Sequence, residues 1–184
     1  MEIRCIFELV DESLYSVWFE DEPMHEFSRL FRLWNDVEYL ESFFEEHQQD
    51  LDQEFWQGLS IEDAIWKTIQ DARKLERKLI QVAESGKKSR YDTLSSFFKP
   101  LFDSTTKVEQ YEKNKAKGLQ YPSWLRIYSI RIEPNLFVVS GGGIKLTQTM
   151  NERGHLLQEL QKLEITKNYL QDEENLDLLP FELF

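Results

Sequence analysis

A single cysteine, Cys5, in 184 residues excludes an internal disulfide and a cysteine-built zinc cage. It sits in the apolar run Ile3–Phe7 and is read as packing. No run of about 18 apolar residues occurs, the length a membrane-crossing helix requires. The opening Met-Glu-Ile-Arg-Cys lacks the basic and apolar regions of a secretory leader, so a cytoplasmic location with no membrane partner is expected. Positive charge is scarce: 22 Lys and Arg against 34 Asp and Glu leave a net −12, which argues against general nucleic-acid binding. Gly-x-Ser-x-Gly is missing, and Gly141-Gly142-Gly143 before Lys145 lacks phosphate-loop spacing. The three histidines, His25, His47 and His155, are scattered, so no metal or other cofactor is expected. There is no internal repeat and no low-complexity segment.

What is present suits one domain over residues 1–184. A chain this long buries roughly 70% of its unfolded surface without needing a staple, and 41% hydrophobic content supplies a core. The charge is uneven. Residues 1–85 carry a net −13, residues 86–131 a net +6 and residues 132–184 a net −5. Such a basic island is a candidate anion site or a solvated loop. Its members Lys99, Lys107, Lys113, Lys115, Lys117, Arg126 and Arg131 are expected to form one positive patch.

Residues 2–9 and 14–20 are β-branched and aromatic around Asp11-Glu12-Ser13, which predicts a hairpin. From Glu26 the period changes. Phe27, Leu30, Phe31, Trp34, Val37, Leu40 and Phe44 predict one amphipathic helix of about six turns over 26–49. Ser60-Ile-Glu-Asp63 is a capping box that starts a second helix over 60–84. Thr93–Leu101 reads as a short strand or a turn of helix. Residues 103–122 read as a lysine-rich insertion, either loop or short exposed helix. Strands follow at 124–132 and 136–147 around Glu133-Pro134-Asn135, with the glycines marking a bulge or a close approach. A last helix over about 152–170 and an acidic tail over 172–184 complete the chain. The fold class is α+β: an antiparallel sheet with an N-terminal hairpin, covered by a two-helix hairpin and a C-terminal helix. The tryptophans are read as core, with Trp56 a candidate for an exposed patch.

Within 125–170, Arg126-Ile-Tyr-Ser-Ile, a tight turn, Leu136-Phe-Val-Val-Ser-Gly, Ile144-Lys-Leu-Thr-Gln and a final helix resemble the phage-derived HigB-like branch of the RelE toxin superfamily. Leu146 stands where that family carries a second lysine, and Thr149 where it carries a later basic residue. The resemblance implies a RelE-like fold and a metal-independent endoribonuclease acting on mRNA at the ribosome, neutralised by an antitoxin. It implies Arg126 and Lys145 as phosphate holders and Tyr128 as a stacking or proton-relaying group; Lys99 and Arg131, from the basic island, are the further candidate substrate-binding cations. The alternative is a non-catalytic interaction module that offers an acidic helical surface to a basic partner.

Overall fold

A computed structural model describes residues 1–52, 56, 58–89, 91–101, 112–116, 123–147 and 154–181. The elements are β1 (Ile3–Val10), β2 (Leu14–Phe19), α1 (Glu26–Leu33), α2 (Val37–Glu46), α3 (Gln48–Leu51), α4 (Ile61–Gly86), α5 (Leu94–Phe97), β3 (Phe98–Pro100), β4 (Glu112–Ala116), β5 (Leu125–Glu133), β6 (Leu136–Ile144) and α6 (Gly154–Gln171). A 3-10 turn at Glu173–Leu178 follows. The strands form one sheet in the order β1-β2-β6-β5-β4-β3. Its pairs are antiparallel except β2 with β6, which run parallel over Leu14–Ser16 and Phe137–Val139.

The sheet separates two cores. Leu30, Trp34, Phe44, Ile69, Leu75, Leu79, Trp124, Ile127, Phe137 and Val139 pack on the side of α1, α2 and α4. Tyr15, Val17, Phe19, Tyr128, Ile130, Val138, Leu163 and Leu170 pack on the side of α6. Both faces are covered, which is why β5 and β6 are buried at most positions. The N-terminal hairpin and the α+β class are as the sequence pattern predicts. The capping box also forms: Asp63 N–H donates to Ser60 Oγ at 3.0 Å, and Ser60 N–H to Asp63 Oδ2 at 3.4 Å.

The expected helix over 26–49 is instead three helices. Asn35 Nδ2 donates to Phe31 O at 2.8 Å at the end of α1. Asp36 Oδ1 then accepts Tyr39 N–H at 3.1 Å and starts α2. The apolar period runs across this break because Phe31, Trp34, Leu40 and Phe44 all enter one core, so periodicity could not register it. Glu112–Ala116, placed by sequence within an insertion, is a strand between β3 and β5. Its residues have weak strand preference, and pairing on both edges overrides that. The rest of the expected insertion, 103–111 and 117–122, lies outside the described residues, as do 182–184 of the tail. Trp56 is buried, its Nε1 donating to Leu146 O at 3.1 Å, whereas Trp66 is 57% exposed.

The glycine run is a true strand segment. A bulge precedes it: Tyr128 opposes Gly141 and Ser129 opposes Val139, leaving Ser140 as the extra residue. A Cβ on Gly142 would overlap Arg126 O and stand 2.9 Å from Leu30 Cδ1, whereas one on Gly154 would meet nothing within 4 Å. Gly142→Ala is therefore expected to destabilise the fold by about 1–3 kcal/mol. Gly154→Ala should stay within about 0.5 kcal/mol of the parent. Urea midpoints of both variants test this; equal midpoints would contradict it.

Candidate functional site

Cross-strand partners share a face of a sheet, so the register assigns each basic residue to a side. Lys99 opposes Lys115, Lys115 opposes Tyr128, and Tyr128 opposes Gly141, which makes one row across β3, β4, β5 and β6 on the α6 side. Arg126 and Lys113 lie on the same side, two residues from Tyr128 and from Lys115. Lys145 falls between Ile144 and Leu146, both in the opposite core, so it too leaves on the α6 side. Arg131 does not join them: it opposes Phe137, and its Nε donates to Ser95 Oγ at 3.1 Å. Lys107 and Lys117 lie outside the described residues. The expected patch is thus a partial one, with Lys99, Lys113, Lys115, Arg126 and Lys145 on one face.

These groups are not equally open. Lys99 is exposed. Lys113 pairs with Glu164 of α6, and Lys115 Nζ donates to Leu101 O at 3.2 Å. Arg126 turns back on its own strand entry, Nη1 donating to Ser123 O at 2.6 Å and Leu125 O at 2.7 Å. Burial pulls its pKa down, and nearby Tyr128 opposes that fall. Tyr128 is fully buried, and its hydroxyl finds no hydrogen-bond partner among the described residues. Burial drives its pKa up; the Arg126 charge lowers it and the Glu159 charge raises it. Tyr128 is therefore a neutral phenol, able to donate a proton but not to accept one.

Beside this row lies a charged cluster that sequence reasoning missed. β2 and β6 pair no further than Ser16 and Val139, and α1 begins where they part, Phe27 N–H donating to Ser16 Oγ at 2.9 Å. The parting is filled by two carboxylates and two cations. Arg29 grips Glu26 with two bonds, Nε to Oε1 at 2.9 Å and Nη2 to Oε2 at 2.7 Å, and reaches Glu159 Oε1 at 3.5 Å. Lys162 Nζ donates to Glu26 Oε2 and Glu159 Oε1, each at 3.1 Å. Gly142 N–H donates to Glu159 Oε2 at 2.7 Å. Glu26, Glu159 and Lys162 are buried, and Arg29 is mostly so. Glycine at 141 is required for this approach, because a Cβ there would overlap Glu159 Oε2.

Burial is also the largest influence on Glu159, raising its pKa; Lys162 and Arg29 pull it down and Glu26 pushes it up. Burial alone would lower the Arg29 pKa, but the bond to Glu26 and the charges of Glu26, Glu159 and Glu22 hold it above its ordinary value. The sequence clue was present in α6, where Glu159 and Lys162 interrupt the stripe Leu156, Leu163, Leu170, although nothing local names their partners. Among the described residues, no group of three or more His, Cys, Asp and Glu is placed to hold a metal ion, and no helix is long and apolar enough to cross a membrane.

Arg29→Met leaves two buried carboxylates facing one cation and is expected to cost about 3–5 kcal/mol, read as a lowered urea midpoint. Tyr128→Phe removes an unpaired buried hydroxyl and is expected to raise stability by about 1 kcal/mol; a loss of stability would mean that the hydroxyl is satisfied. Because its folded pKa is raised, Glu159 contributes most below the ordinary carboxylate range, and that contribution falls as pH climbs through the raised value. The stability of the parent relative to Glu159→Gln should therefore decline from pH 4 to pH 7; a rise would contradict the assignment. No protein-family model, no curated protein and no solved structure matches this chain.

Proposed function

We propose that the chain is a RelE/HigB-like protein that acts on RNA through the α6-side face of its sheet, as the toxin component of a toxin–antitoxin pair. The single observation that carries this reading is the shared face: Arg126, Tyr128 and Lys145, the three positions the resemblance singles out, leave the sheet on one side, with Lys99 and Lys115 continuing the Tyr128 row. The coarse order of elements supports it, a hairpin and helices preceding antiparallel strands and a last helix, within a larger six-stranded sheet that joins β2 to β6 in parallel.

In this reading Arg126, Lys145 and Lys99 hold the RNA backbone, and developing charge at the scissile phosphate is met by preorganised cations. Tyr128, beside these cations, is the stacking or proton-relaying group. In the form described, α6 covers Tyr128 and Arg126 is bonded to its own backbone, so RNA engagement requires α6 to lift. An antitoxin partner would act on this same cover.

A second reading is favoured by the outer surface of the helices. Glu38, Glu41 and Glu45 form an exposed acidic stripe on α2, and α4 leaves Trp66 exposed, an arrangement suited to a basic partner without catalysis. Induced expression in a bacterial host, with growth followed and translated messages mapped by primer extension, separates the two. The ribonuclease reading predicts growth arrest and new message ends, with Arg126→Ala and Lys145→Ala each lowering cleavage by about a hundredfold. Neither arrest nor cleavage from the folded parent would retire it in favour of the interaction module.

A further inference from the structure

We infer that Glu159 is a built-in stand-in for an anionic ligand: its carboxylate fills an anion site on the sheet made by the Gly142 N–H and Arg29, and withdrawal of α6 frees that site, beside the Tyr128 hydroxyl, for a phosphate group. The donors around Glu159 are those that recognise a phosphate oxygen. One is a backbone N–H at 2.7 Å, with a guanidinium at 3.5 Å and an ammonium at 3.1 Å. The N–H is available because β2 leaves β6 after Val139, so Gly142 meets no strand on that side. The space is available because residue 141 lacks a side chain.

Two further observations point to an outside occupant. The Tyr128 hydroxyl, fully buried and opposite Gly141, has no partner among the described residues; buried tyrosine hydroxyls ordinarily find one. The helix that delivers Glu159 is also held partly by charge. Of its six buried residues, Leu156, Leu163 and Leu170 are apolar, and Glu159, Lys162 and Thr166 are not. Ion pairs in such a setting largely cancel their own desolvation and hold a helix less firmly than leucines would. Withdrawal of α6 removes Glu159 and Lys162 together, leaving Gly142 N–H, Tyr128 and a partly neutralised Arg29.

The choice of RNA phosphate as the ligand rests on the function proposed above; the anion site does not. The test titrates the full chain and Glu159→Gln with inorganic phosphate, and separately with a short single-stranded RNA, following the Gly142 amide by NMR. The variant leaves Glu26, with Glu22 at 4.0 Å from Arg29, against Arg29 and Lys162. It should bind phosphate at Gly142 on the order of tenfold or more tighter than the parent, because a buried like charge a few ångströms away is removed. A folded variant whose Gly142 amide responds to neither probe overturns the inference. Response to phosphate without response to RNA upholds the anion site and overturns the RNA reading. RNA binding that leaves Gly142 unmoved overturns the anion site and leaves the RNA reading standing. Should the variant not fold, the parent carries the test. Phosphate, but not chloride at equal ionic strength, should speed amide exchange across Leu156–Leu163, and equal rates in the two salts overturn the inference.

Discussion

Where β2 and β6 part, the backbone of a central strand is left without a strand neighbour, and the structure must answer for those polar groups inside the protein. It does so with charge. Glu159 accepts the Gly142 N–H, and Arg29 and Lys162 then pair with that buried carboxylate and with Glu26 beside it. The remaining architecture follows from this closure. α1 must begin at the parting to bring in Glu26 and Arg29, β6 must be glycine at 141 to admit the carboxylate, and α6 must cross β6 at that height. An unpaired charge in such a place would be prohibitive, so the four residues act as one unit.

Local rules made much of the fold legible in the sequence. Ser60 and Asp63 announce α4, β-branched and aromatic composition announces β1 and β2, alternation announces β5, and the Pro134-Asn135 turn returns the chain into β6. Two features escaped because tertiary contacts outweigh local preference. The break at Asn35-Asp36 is invisible to a period that both flanking helices share, and β4 is a strand because its neighbours pair with it. The sequence suggested a bulge near the glycines; it falls one residue earlier, at Ser140, and that position settles the side on which Lys145 leaves.

The candidate site divides the same way. That Arg126 and Tyr128 share a face was readable from their spacing, since two residues is the period of a strand. That Arg131 faces the other way follows from the same count, because five residues separate it from Arg126. The charged cluster was not readable, because Glu26 and Lys162 are 136 positions apart and each looks like an ordinary helix residue.

For a ligand to reach this face, α6 must be a cover that can separate from the sheet while the sheet stays folded. Native-state hydrogen exchange of the parent chain tests this most directly, comparing the Gly142 amide, held by Glu159, with the amides of Val138 and Val139 in the same strand. Gly142 is predicted to exchange through a smaller opening free energy, one shared with the amides of α6, because local and global openings protect different parts of a protein to different degrees. Exchange of Gly142 at the same free energy as Val138 and Val139, through global unfolding alone, would contradict a separable cover.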